Sequence, residues 1–183
     1  MKKLSAVLVT TILATSGFSP AQAQDDLIYV AVEPCRVADT RKSSEGVIKA
    51  GTFRNIQVTG TTVTLAVQGG QANCPNPKAG RTPVAVAAYI LAIPNDSSIG
   101  KGVLSAYPSN QPPPPVGSGS TVNFAKDQTI GNTTIATLCT SNCPPDGELA
   151  VTVRNSDEDV VVDVQGYFYS INDIGNCSNA DIA

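Results

Sequence analysis

The chain has 183 residues, a net charge of −3 at neutral pH and no histidine at all. Lacking histidine, it cannot build a Ser-His-Asp triad or a histidine zinc site, and it has no ordinary general base near pH 7. Twelve basic residues stand against fifteen acidic ones, with no basic run longer than Arg41-Lys42, so neither nucleic acid nor an anionic membrane is an expected partner.

Lys2 and Lys3 open the chain, and an apolar run from Leu4 to Phe18 follows. Pro20 and Ala21-Gln22-Ala23 come next, which is the order of charged region, apolar region and A-x-A cleavage site of a signal peptide. Residues 1–23 are therefore expected to be removed. Residues 24–169 are expected to form a single β domain, and 170–183 a C-terminal tail. The apolar run is short for a bilayer span, which needs roughly 20 residues, so no membrane span is expected after cleavage. No cysteine sits at the cleavage point to carry a lipid. The expected location is secreted or at the cell surface.

Export changes how the five cysteines are read. Outside the cytosol, Cys35, Cys74, Cys139, Cys143 and Cys177 are a disulfide framework before they are metal ligands. Spacing alone does not choose among the pairings. The preferred set is Cys35–Cys74 and Cys139–Cys143, with Cys177 left over as a free thiol or a link between chains. Cys139 and Cys143 have the spacing of half a zinc site, but no matching second pair exists. No metal and no other cofactor is implied.

Along the remaining chain, short β-prone runs alternate with turn residues, and no helical stripe appears. Leu27–Val32 is β-branched and is expected to end at Pro34. Phe53–Val58 and Thr62–Val67 flank Thr59-Gly60-Thr61 and read as a hairpin. Pro83–Ile93 is apolar on both faces, as suits a strand inside a covered sheet. Gly102–Tyr107 and Thr121–Phe124 lie on either side of Pro112-Pro113-Pro114-Pro115 and a glycine-serine stretch, which reads as a surface loop. Asn132–Leu138 follows, and then Glu148–Asn155 and Val160–Tyr169, which read as the clearest hairpin. Their acidic connector Asn155–Asp159 lacks the ligand spacing and glycine of an EF-hand, so it is read as a solvated turn. About nine short strands with thirteen prolines and fifteen glycines between them predict an all-β antiparallel sandwich, jelly-roll-like or barrel-like in the alternative.

Several segments together carry a resemblance. Pro34-Cys35-Arg36-Val37-Ala38-Asp39-Thr40-Arg41 resembles the "PCRvxDTR" opening of a β domain common in secreted and surface proteins of bacteria. Phe53–Gly60, Cys74-Pro75 and Gly102–Pro108 resemble its middle segments, the last as "G-x-L-x-x-y-P". Ser120–Phe124 with Gln128-Thr129-Ile130 and Asn132 resembles "S-t-x-N-f-x-x-g-Q-t-i-x-N", and Val162–Phe168 resembles the closing "v-D-V-x-G-Y-F". The resemblance covers residues 34–168 and implies a surface or extracellular β domain without an established activity. It also supports the Cys35–Cys74 pairing, because members with the first cysteine tend to carry the second. The glycine after the second cysteine is missing here, and Cys139, Cys143 and residues 170–183 fall outside the pattern.

Asp39, Arg41 and Asp163 are charges set among apolar neighbours, and a buried carboxylate must be paired or hydrogen-bonded. The expectation is a structural ion network in which Arg41 pairs with Asp39 or Asp163. A glycosidase carboxylate pair is the alternative, and nothing in the spacing favours it. With no histidine and no nucleophile motif, the chain is not expected to be an enzyme. The expected function is a non-catalytic extracellular or cell-surface module binding a carbohydrate, a cell-envelope component or a protein. Tyr89, Tyr107, Tyr167 and Tyr169 are its candidate contacts, each offering an apolar face with a polar tip. The alternative is a structural subunit of an extracellular homo-oligomer or fibre.

Overall fold

The structure is a computed structural model that describes residues 26–71 and 73–171. The expected signal segment, Cys177 and nearly all of the expected tail lie outside those residues. Eight strands form: β1 (Leu27–Asp39), β2 (Phe53–Ile56), β3 (Ala85–Ile93), β4 (Gly102–Pro108), β5 (Val122–Phe124), β6 (Ile130–Thr137), β7 (Leu149–Arg154) and β8 (Asp159–Ser170). They pair antiparallel throughout, as two four-stranded sheets ordered β1-β8-β3-β6 and β2-β7-β4-β5. The sheets stack as a sandwich and do not close into a barrel. That strand order is the double Greek key of a jelly roll.

Alternation builds the core. Val86, Ala88, Ile90 and Ala92 of β3 and Val160, Val162 and Val164 of β8 are buried from one sheet. Leu104 of β4 and Leu149, Val151 and Val153 of β7 are buried from the other. Two long β-branched runs thus supply one interior, each burying alternate side chains.

Three local expectations are corrected. Thr62–Val67 is not a strand; Thr62–Leu65 is a short helix, α1, followed by a 3-10 turn over Ala66–Gln68. A capping box explains it: Thr61 Oγ1 accepts from Thr64 N while Thr64 Oγ1 accepts from Thr61 N. Asn73 Oδ1 takes the Thr62 amide as well, and only Leu65 of this segment is buried. The β-branched composition favoured a strand, but satisfied amide groups at the helix start outweigh so weak a propensity.

The second correction concerns β7 and β8, which are not a hairpin. β7 pairs with β2 and β4, and β8 with β1 and β3, so their connector crosses from one sheet to the other. Both strands are buried on nearly every residue, which a two-stranded excursion could not achieve. Third, β1 continues past Pro34. The register offset between Ala31 and Cys35 takes Pro34 out of the ladder, and β1 is an edge strand, where a missing N–H is tolerated.

Cys35 on β1 is bridged to Cys74, and Cys139 to Cys143. The first pair closes a sequence separation of 39 and the second one of 4. Chain-entropy arguments put such closures at about 4 and about 2 kcal/mol. Replacing Cys35 and Cys74 together by serine is expected to lower the unfolding free energy about twice as much as replacing Cys139 and Cys143. Urea titration of the two double variants measures it.

Candidate binding surfaces

The charged residues of the first strand meet those of the last on the outer side of the β1-β8-β3-β6 sheet. Arg36 faces Asp163 across β1 and β8 and grips it with two bonds, Nε to Oδ1 at 2.8 Å and Nη2 to Oδ2 at 2.9 Å. Arg41 grips Asp39 in the same way, at 2.8 Å for both bonds, and its own amide also donates to Oδ1. Arg36 Nη1 lies 3.6 Å from Asp39 Oδ2 and joins the two pairs into one relay. Arg41 therefore pairs with Asp39 and not with Asp163, and Arg36 is the member that sequence reasoning missed. The signal was present: Arg36 stands three residues before Asp39 in the same motif.

Asp39 has a fully buried side chain. The hydrogen bond from Arg41 lowers its pKa; burial opposes that, and the charges of Arg41 and Arg36 add to the lowering. Hydrogen bonding to Asp163 likewise raises the pKa of Arg36. Bidentate arginine contacts engage both carboxylates. This relay ties β1 to β8.

The acidic connector before β8 divides its charges among different partners. Asp157 accepts from Lys49 Nζ at 2.9 Å and from the Ala50 amide at 2.8 Å, bonds that lower its pKa. Asp159 accepts from Thr40 Oγ1 at 2.6 Å. Glu158 is buried, and its Oε1 has no hydrogen-bond partner among the described residues. Burial raises the Glu158 pKa; Ser98 and Ser156 hydrogen bonds pull it down, and Asp159 and Asp157 push it up further.

The four candidate tyrosines separate. Tyr167 is fully buried and donates to Val58 O at 2.7 Å, and Tyr169 is fully buried and donates to Asn76 Oδ1 at 2.6 Å. Tyr107 is buried too, with its hydroxyl unpartnered among the described residues. Burial raises the pKa of all three phenols. These three are core residues and not surface contacts. The reason for β8 is a bulge: Ala87 faces Gly166 while Ala88 faces Val164, so Gln165 is an extra residue. That one residue reverses the alternation, turning Tyr167 and Tyr169 inward and Phe168 outward. Tyr89, half-buried, does reach the surface, together with Tyr29, which was not among the sequence candidates.

Two cavities lie on the other sheet. One, about 290 Å³, sits at the open edge of β2 between Glu45, Phe53, Arg54, Asn55, Val67 and Asp146. Phe53 and Val67 are 55% and 64% exposed at its rim. Arg54 Nε pairs with Glu45 Oε2 at 2.7 Å, and Asn55 Nδ2 donates to Asp146 Oδ1 at 2.9 Å. Asn55 Oδ1 is a buried atom with no partner among the described residues. Next to the cavity, Gln68 imitates a strand: its Oε1 accepts from Gln57 N at 3.0 Å and its Nε2 donates to Gln57 O at 2.8 Å. The second cavity, about 240 Å³, lies between Val103, Asn123 and Arg154 and the loop carrying Val116. Arg154 holds that loop by donating to the Pro114 carbonyl.

Among the described residues, no helix is long and apolar enough to cross a membrane, and two disulfides are compatible with an extracellular protein.

Two stability outcomes follow from these groups. Asp39→Asn is expected to cost about 2–3 kcal/mol at pH 7, because two arginines lose a buried counter-charge. The Asp39 pKa is lowered by folding, so its contribution is present above about pH 4 and lost as pH falls through the folded value. The gap between the variant and the wild type should close in acid, as followed by thermal melts across pH. Glu158 has the opposite sign. Its folded state holds the proton more tightly, so its penalty is absent below about pH 4.3 and grows as pH rises through the raised value. Glu158→Gln is expected to stabilise the protein by about 1 kcal/mol at pH 7, with the gain fading in acid.

No protein-family model, no curated protein and no solved structure matches the chain.

Proposed function

We propose that this chain is a non-catalytic, exported binding module that takes a carbohydrate of the cell envelope in the cavity at the open edge of β2. The observation that carries this reading is the cavity itself, whose lining brings the exposed Phe53 ring together with the polar side chains of Asn55, Asp146, Glu45 and Arg54. Sugars present hydroxyls that both donate and accept, together with apolar C–H faces that lie against aromatic rings. A pocket with a few convergent polar groups and an apolar rim meets those requirements.

Glu45 is engaged by Arg54 and Asp146 by Asn55, which leaves no paired acid and base for hydrolysis. The signal-like N-terminus of the sequence and the two disulfides support export.

Binding of the secreted protein to an immobilised panel of envelope polysaccharides and neutral glycans tests the reading. The wild type is expected to bind at least one glycan, and Asn55→Ala and Phe53→Ala are each expected to weaken it tenfold or more. A wild type that binds no glycan overturns the proposal. Undiminished binding by both variants overturns the assignment to this cavity.

A further inference from the structure

We propose that the outer face of the β1-β8-β3-β6 sheet is where two copies of this chain join, face against face about a two-fold axis. This inference is independent of the glycan cavity, which lies on the other sheet.

The face carries apolar side chains on all four strands, with Thr133 and Thr137 of β6 and the Arg36–Asp163 pair among them. On one rung, Tyr29 of β1 stands beside Phe168 of β8, their ring centroids 5.0 Å apart. On the next rung Ile135 of β6 is level with Ala87 of β3 and Gly166 of β8, and on the third Tyr89 is level with Asp163. Leu27, Tyr29 and Ile135 are 47%, 48% and 64% exposed. Exposed apolar side chains gathered on one face of a sheet mark an interaction site.

The face is also flat. A Cβ at Gly166 would stand 2.4 Å from the Tyr29 ring, and one at Gly131 would stand 2.7 Å from the Tyr89 ring. Each tyrosine therefore lies down over a glycine of a neighbouring strand, and each glycine is required for that close approach. Rings lying on a sheet with alanines between them leave a smooth surface, suited to stacking another sheet about 10 Å away.

Self-complementarity selects a second copy over a different partner. A two-fold contact sets a patch against itself, so a patch with net charge repels its copy. Here the charges at the middle of the face are Arg36 and Asp163, which sum to zero and neutralise each other within one chain. Turned through a two-fold, arginine of one copy lies near aspartate of the other. Four strands of about eight residues present roughly 500 Å² in projection, and two such faces together bury about 1,000 Å², the lower end of a specific interface.

Multi-angle light scattering and sedimentation of the secreted protein over a range of concentrations test the proposal. The wild type is expected to be a dimer that persists in reductant and in the Cys177→Ser variant. Ile135→Lys, at an exposed position, is expected to raise the dissociation constant at least a hundredfold, and Phe53→Ala is expected to leave the dimer unchanged. A wild type monomeric at every concentration overturns the proposal, as does an Ile135→Lys dimer as tight as the wild type. A dimer that vanishes with reductant also overturns it, because the disulfide alone would then hold the copies.

Discussion

Strand β8 is the constraint on which the rest of the structure depends. It is hydrogen-bonded on both sides, to β1 and to β3, and it carries one residue too many for a regular ladder. The bulge at Gln165 decides which side chains belong to the core. Before it, Val160, Val162 and Val164 point in; after it, Tyr167 and Tyr169 do. Their two hydroxyls then reach out of the sheet to Val58 and Asn76, fixing the segments that follow β2 and the first disulfide. The carbonyl of Gln165 accepts from Tyr29, so the same irregularity also pins the start of β1.

The sequence made the architecture legible and the pairing much less so. Short apolar runs separated by glycine and proline lead to a sandwich, because little else can bury so many β-branched side chains without a helix. Which strands pair is a different matter. Glu148–Asn155 and Val160–Tyr169 lie next to each other in sequence, and their short connector invites a hairpin. It is burial on both faces, visible only with both sheets in place, that sends them to different layers. The tyrosines show the same limit. Counting by twos from Asp163 would turn Tyr167 outward, and no residue type announces the bulge that reverses the count.

The charged motif lies between these extremes. That Asp39, Arg41 and Asp163 needed partners follows from elementary electrostatics, since a carboxylate among apolar strands is costly alone. The identity of the partners follows from register. Arg36 sits directly across from Asp163 in the ladder, whereas Arg41 lies beyond the strand and can only fold back onto its near neighbour. The β2 cavity had no sequence signal at all: its six named residues come from four separate stretches of chain, none of them periodic.

Gln68 has a consequence for how this protein behaves when crowded. Strand β2 is only four residues long and lies at a sheet edge, where unpaired amides and carbonyls could recruit a strand from another molecule. By occupying both backbone groups of Gln57, the Gln68 amide ends the run of open groups just beyond β2. A stranger's strand finds too little backbone there to lengthen the sheet. Growth of the β2-β7-β4-β5 sheet past β2 is disfavoured at that edge.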